Sequence, residues 1–397
     1  MRSHRDLTTV ILAVLCAAGL AAQAPAPAAQ PPAPVETRVR RFVNVGVNDA
    51  NQRLDWVEPP AQAFPLGAPS DNAFTVSYTH GGKRYALNDY FTRTDVLAFL
   101  ILKDGKPVFE RYLVGTGPTD RYLSMSVSKS VVSVLVGVAV DEKKIASIDD
   151  HVVKYLPRLK GSGYQDVTIR NLLNMASGIE FSEDYGVAGS GIGQLTTANR
   201  TGTPSFLEFI ASLKSDKAPG TFNYQSVNTQ VLAELLKAAT GMPLNVLAET
   251  KVWKKIGAES RAYYLTGKNQ EGICAYGCFY ATLHDYARFG LMAMRGGQLT
   301  GERVVSERWL KDSAAPFVKP AINQETGRCQ RGYGFQWWIP CGGGDAFQAT
   351  GINGQAIYIN PSKRIVVAQF SARAQATDPD QMQESGEVFE AIAERLK

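Results

Sequence analysis

Histidine is scarce, with four in 397 residues. The three beyond the amino-terminal segment, His80, His151 and His284, stand in no context that points to catalysis. No Gly-x-Ser-x-Gly elbow occurs, so a Ser-His-Asp hydrolase lacks both its turn and its base. His-Glu-x-x-His and a glycine-rich phosphate loop are missing too, which removes the usual zinc-peptidase and nucleotide-binding readings. Beyond the first two dozen residues there is no long apolar run, so no later segment is expected to span a bilayer. Nor is charge of one sign concentrated. The net +5 is spread along the chain, and its densest cluster, Arg38, Arg40 and Arg41, reads as a solvated face and not as a nucleic-acid footprint.

What is present is an ordinary globular composition, 45% apolar and 20% charged, over a length that suits a large two-part enzyme. Residues 1–24 read as a secretory signal peptide: a basic start, an apolar run from Leu7 to Ala22, and an Ala22-Gln-Ala24 cleavage site. The expected location is periplasmic or secreted. Residues 25–40 follow as an extended Pro/Ala-rich linker. Once Cys16 leaves with the signal, Cys274, Cys278, Cys329 and Cys341 remain. An even number in an exported chain favours two disulfides, with three connectivities open and a structural zinc site as the rival. If Gly332 to Ile339 is one straight strand, it holds Cys329 and Cys341 far beyond the roughly 7 Å a bridge tolerates, so that pairing needs a bend.

The organising stretch is Ser124-Met-Ser-Val-Ser-Lys-Ser130 and the apolar run Val131 to Val140. A helix from Ser126 to Val140 would be apolar on nearly every side and therefore buried. Ser126 and Lys129, three residues apart, share one face of it. Burial disfavours the charged ammonium, so Lys129 can serve as a base and Ser126 as a nucleophile. Upstream, β-rich runs at 96–102 and 108–114 flank Asp104-Gly105 as a hairpin. Downstream, helices are expected over 168–175, 205–214, 227–240, 244–256, 282–294 and 384–396, and strands over 333–339, 355–360 and 364–371. Residues 178–202 read as a long surface loop, and residues 36–93 resist assignment. The fold class is α/β (α+β): an antiparallel sheet flanked by helices, built from 41–145 and 273–397, with a mainly helical domain inserted at 146–272.

Two further constellations carry chemistry. In Pro219-Gly-Thr-Phe-Asn-Tyr224-Gln-Ser226 a turn presents a phenol and then a hydroxyl just before a helix. A tyrosine so placed can relay protons when a cation lies near it. In Ala349-Thr-Gly351-Ile-Asn-Gly354-Gln355 two glycines at a strand edge let a ligand approach the backbone. The amide of Ile352 could there pair with that of Ser126 as an oxyanion hole.

Ser-x-x-Lys, then Tyr-x-Ser about a hundred residues on, then Thr-Gly leading into a late strand, together resemble the serine β-lactamase and penicillin-binding superfamily. Supporting stretches include Leu172-Leu-Asn-Met-Ala-Ser-Gly178, Ser182-Glu-Asp-Tyr185 and Ala281-Thr-Leu-His-Asp-Tyr-Ala-Arg-Phe-Gly290. Within that superfamily the likeness is to the class C-like esterases and aminohexanoate-dimer hydrolases. The resemblance implies Ser126 as nucleophile, Lys129 as its base and Tyr224 as proton relay. It also implies an oxyanion hole from the amides of Ser126 and Ile352, a loop tyrosine at Tyr185 that closes over substrate, and substrate contacts at Ser226, Thr350 and Gly351. No metal and no cofactor are called for.

Two departures shape the expected substrate. Ala349 stands where lactamases and peptidases usually carry Lys or His before Thr-Gly, and Ser226 replaces the asparagine common in class C enzymes. Both turn the expectation toward an exported hydrolase of small esters or linear amides. The alternatives are a true β-lactamase or DD-peptidase, or a penicillin-recognising binder that does no chemistry. Loops 178–202 and 268–280, with Trp337 and Trp338, are expected to shape the pocket.

Overall fold

The structure is a computed structural model and describes residues 33–46, 49–70, 73–342 and 344–397. The signal peptide expected over residues 1–24 lies outside them. Seven antiparallel strands form the main sheet: β1 (Val96–Lys103), β2 (Lys106–Tyr112), β3 (Gly332–Tyr333), β4 (Trp338–Ile339), β5 (Phe347–Gly351), β6 (Gln355–Asn360) and β7 (Ile365–Ser371). Their order across the sheet is β3-β4-β5-β6-β7-β1-β2. The early hairpin is thus completed by the carboxy-terminal strands, with Ile101 of β1 opposite Val367 of β7.

Both faces of this sheet are covered, which is why its strands read as unbroken apolar runs. Along β1, Ala98, Leu100 and Leu102 join one buried cluster while Phe99 and Ile101 join another on the opposite face. On the first face lie helices α1 (Val127–Asp141) and α3 (Leu283–Met294), with α2 (Ser226–Thr240) packed on α1; on the second lie helix Leu87–Arg93 and α4 (Pro379–Arg395). Helix α1 is buried from Val127 through Ala139. Six of those residues are valines, poor intrinsic helix formers, so burial and not propensity holds it. Its entry is set by a second, four-stranded antiparallel sheet of Gln52–Val57, Ala262–Gly267, Phe279–Ala281 and Tyr122–Leu123. The amide of Ser124 donates to the Phe279 carbonyl at 2.7 Å, which fixes the chain just ahead of Ser126.

Several expectations are corrected. Residues 178–202 are not one long loop, since Gly191–Thr201 is helical, capped by the Ser190 hydroxyl and burying Ile192, Leu195 and Ala198. The closing helix begins earlier than expected, at Pro379, because Asp378 accepts from the amides of Asp380 and Gln381 and Pro379 suits the first turn. Gly332–Ile339 is a hairpin, not a straight strand. Its turn inserts the Gln336 side chain between helices, where it bonds Thr229 at 2.7 Å and the Leu172 carbonyl at 2.9 Å. That bend brings Cys329 and Cys341 to a Cα separation of 5.7 Å, and they form one disulfide while Cys274 and Cys278 form the other. The cysteines are therefore not zinc ligands. Arg38 is not solvated: it is buried, pairs with Asp95 at 2.9 Å and donates to the Ala372 carbonyl. The extended linker expected through residue 40 gives way to a helical turn at Val35–Arg38. Among the described residues no single helix is long and apolar enough to cross a membrane.

Candidate active site

Ser126 caps α1 immediately after Met125, whose φ of 44° lies in the left-handed region. The turn places Ser126 in the wall of a cleft of about 790 Å³. Lys129 lies one helical turn on and is almost wholly buried; its Nζ donates to Ser126 Oγ at 2.8 Å and to the Tyr276 carbonyl at 2.6 Å. Burial pulls its pKa down from 10.5 to about 8, opposed by the negative charge of Glu183. A hydroxyl bonded to an amine that deprotonates so readily can give up its proton to it.

Tyr224 closes the other side, its ring 5.4 Å from Lys129 Nζ and stacked on Trp338 at 5.5 Å. Burial pushes its phenol well up, Glu183 adds to the rise, and a hydrogen bond with Ser126 and the charge of Arg331 oppose it. Tyr224 therefore stays protonated and is suited to pass a proton on, while Lys129 is the better base. Gly351 ends β5 against the Ser126 turn: a Cβ there would lie 2.7 Å from Met125 Cβ and 2.9 Å from the Ser126 amide nitrogen. Any larger residue would push the strand edge away from the serine, so glycine brings the Ile352 segment beside it. Thr350, Gly351 and Ile352 all line the cleft.

The remaining sequence-derived assignments divide. Tyr185 is exposed at the cleft rim, and its hydroxyl donates to Glu183 Oε1 at 2.6 Å. Ser226 does not face the cleft. It is buried, its amide donates to Glu183 Oε2 at 2.8 Å and its hydroxyl to Oε1, so it holds Glu183 at the amino end of α2, where the helix dipole favours a carboxylate. Trp338 lines the cleft, whereas Trp337 is buried against Phe289 and Phe347. Residues 268–280 lie beneath the site and supply the Tyr276 carbonyl. Sequence reasoning missed the part played by Glu183, and it missed Arg331, which lines the cleft and lies 4.3 Å over the Trp338 ring. Glu183 lies within the Ser182-Glu-Asp-Tyr185 stretch, which was read only for its tyrosine, and no local motif marks Arg331, which reaches the site through tertiary packing. His284 is remote from the cleft. Burial pulls its pKa down, but bonds to Glu110 and Glu259 outweigh this and raise it to about 9.

The Cys274–Cys278 disulfide spans the segment that holds α1 from below, where Ala275 accepts from Ser128 Oγ at 2.7 Å and Tyr276 from Lys129. Changing both cysteines to serine is expected to lower kcat by about tenfold with the fold retained, since Lys129 loses a fixed acceptor. Steady-state kinetics beside a melting curve checks this, and an unchanged kcat would show that the loop is held without the bridge.

The sequence profile described as Beta-lactamase matches residues 91–386. A 6-aminohexanoate-dimer hydrolase from Paenarthrobacter ureafaciens is 33% identical over 292 residues, covering 71% of this chain and 73% of that protein. Among solved structures, a Bacillus anthracis protein provisionally named a 6-aminohexanoate-dimer hydrolase superposes with a TM-score of 0.75 at 23% identity, covering 87% of this chain and 92% of that one. A family VIII carboxylesterase superposes with a TM-score of 0.59 at 18% identity, over 78% of this chain and 96% of the other. Profile and sequence match together place the chain in the beta-lactamase family, as a serine hydrolase related to 6-aminohexanoate-dimer hydrolase.

Proposed function

We propose that the chain is an exported hydrolase that cleaves small esters or linear amides through an acyl-enzyme. Ser126 Oγ attacks the carbonyl carbon as its proton passes to Lys129 Nζ. The developing oxyanion is received by the amides of Ser126 and Ile352. Collapse of the adduct breaks the bond to the alcohol or amine, which leaves with a proton relayed through Tyr224. Water then attacks the acyl-serine, and the acid is released as Ser126 regains its proton. Tyr185 closes over the bound substrate from the rim. The observation that carries this reading is the 2.8 Å bond between Ser126 and a buried Lys129 whose pKa is drawn down to about 8.

Short esters are the first expected substrates, linear amides the second and β-lactams the third, because Ala349 and Ser226 both depart from the residues that lactamases usually carry at those places. The two disulfides favour an oxidising compartment. A panel of nitrophenyl esters, a linear aminohexanoate dimer and nitrocefin tests the ranking. Ester kcat/KM is expected to exceed that for nitrocefin by about a hundredfold or more, and the reverse order would overturn the substrate assignment.

A further inference from the structure

Every polar group of Gln336 is taken. Its amide donates to the Leu173 carbonyl at 3.0 Å, and its own carbonyl accepts from Ser130 Oγ at 2.8 Å. Its side-chain oxygen accepts from Thr229 Oγ1 at 2.7 Å, while its side-chain nitrogen donates to the carbonyls of Leu172 and Leu173 at 2.9 and 3.2 Å. One buried residue thus ties the turn between β3 and β4 to α1, to α2 and to helix Ile169–Leu173. Its φ of 64° lies in the left-handed region that favours glycine. Glycine would suit that backbone but make none of the side-chain bonds.

The hairpin depends on such an anchor. Among the described residues β4 meets β5 only at Trp338, opposite Gln348, so the sheet edge gives it little hold. What the hairpin carries is the packing around Tyr224. Trp338 stacks on the Tyr224 ring with centroids 5.5 Å apart, and Tyr333 meets that ring edge-on at 5.9 Å. Trp338 and Tyr333 also pack on each other at 4.8 Å, and Phe222 closes against Tyr333 at 5.2 Å. Gln336 itself is 2% exposed and does not line the cleft. It reaches the chemistry only through the rings it sets.

We infer that Gln336 is a positioning residue: by pinning the β3–β4 turn it seats Trp338 and Tyr333 against Tyr224, and so fixes the phenol that protonates the leaving group. The inference rests on the proton relay assigned to Tyr224. In that step the bond from the carbonyl carbon to the alcohol oxygen or amine nitrogen breaks as that atom takes the proton of Tyr224 Oη. The phenolate regains a proton from the Lys129 ammonium, which holds the one first taken from Ser126. A phenol displaced by about an ångström loses much of this transfer. A leaving group that is stable as an anion does not need it. Leaving-group dependence therefore separates positioning from a general loss of structure.

The test compares para-nitrophenyl butanoate with para-nitrobenzyl butanoate. They share the acid and the nitro-ring, but nitrophenoxide leaves unaided whereas the benzyl alkoxide must be protonated. The readout is the ratio of kcat/KM, nitrophenyl over nitrobenzyl. Tyr224→Phe is expected to raise it about a hundredfold, and Gln336→Met and Trp338→Leu about tenfold each, with Trp338→Phe back within about threefold of wild type. Thr229→Val removes a single bond to Gln336 and alters no residue that lines the cleft, and it should raise the ratio about threefold. A melting curve accompanies each variant, and if Gln336→Met does not fold, the Thr229 and Trp338 variants decide the question. Folded variants that lose activity on both esters equally, leaving the ratio within about 1.5-fold of wild type, would overturn the inference. If Tyr224→Phe raises the ratio and these variants do not, only the positioning role falls. If Tyr224→Phe leaves the ratio flat, the relay itself falls and the inference with it.

Discussion

Replacing Ser126 with alanine is expected to lower kcat/KM by on the order of 10⁴-fold or more while leaving the fold intact. The size of the loss follows from geometry. Lys129 has its amine 2.8 Å from this oxygen, and among the described residues it bonds to no other hydroxyl. The small structural cost follows from position. Ser126 lines the cleft, and removing Oγ deletes a bond from an amine that keeps the Tyr276 carbonyl, about 1 kcal/mol by the usual measure. Turnover by a well-folded Ser126→Ala enzyme within tenfold of wild type would mean that another group attacks the substrate.

The second large effect belongs to Lys129. Its change to methionine is expected to cost about 10²–10⁴ in kcat/KM, the range of general-base catalysis. Because burial lowers the pKa to about 8, the amine is mostly protonated below that pH and free above it. Wild-type kcat/KM should therefore rise with pH to a plateau, with a midpoint near 8, and this rise should vanish in Lys129→Met. Stability runs in a related sense. A lysine whose folded pKa lies below its unfolded value of 10.5 destabilises the native state while both states are charged. That penalty, roughly 3 kcal/mol, is present at neutral pH and fades between about 8 and 10.5. Methionine removes it and also loses two hydrogen bonds, so the variant should melt within a few degrees of wild type. A loss of tenfold or less in a folded variant, or an unchanged pH profile, would place the base elsewhere.

The sequence was most informative where structure is local. The apolar run Val131 to Val140 behind Ser124–Ser130 reads as a buried helix in a large domain, and Ser126 and Lys129 are neighbours by helical period alone. Asp104-Gly105 between two apolar runs marks a hairpin for equally local reasons. Legibility fell where a long-range contact decided the outcome. The turn at Gln336 is driven by polar groups of two helices, Thr229 at 2.7 Å and the Leu172 carbonyl at 2.9 Å, so the run from Gly332 looked straight until those partners were known. The same bend settles which of two adjacent tryptophans faces the cleft. It also carries Arg331 to Thr350, a contact across nineteen residues that no motif records. Ser226 was misread for a similar reason: a hydroxyl two residues after Tyr224 could face substrate or wall, and Glu183 claims it for the wall. Helix Gly191–Thr201 had readable signs, a Ser190 cap and apolar residues at 192, 195 and 198, but its glycines and threonines masked them.

The central claim is that Ser126 is the nucleophile that becomes acylated. Intact-protein mass after incubation with a fluorophosphonate, in the wild type and in Ser126→Ala, tests it most directly. A single adduct on the wild type that is absent from the variant is the predicted result. No adduct on a folded wild-type protein, or an adduct that survives in Ser126→Ala, would contradict it.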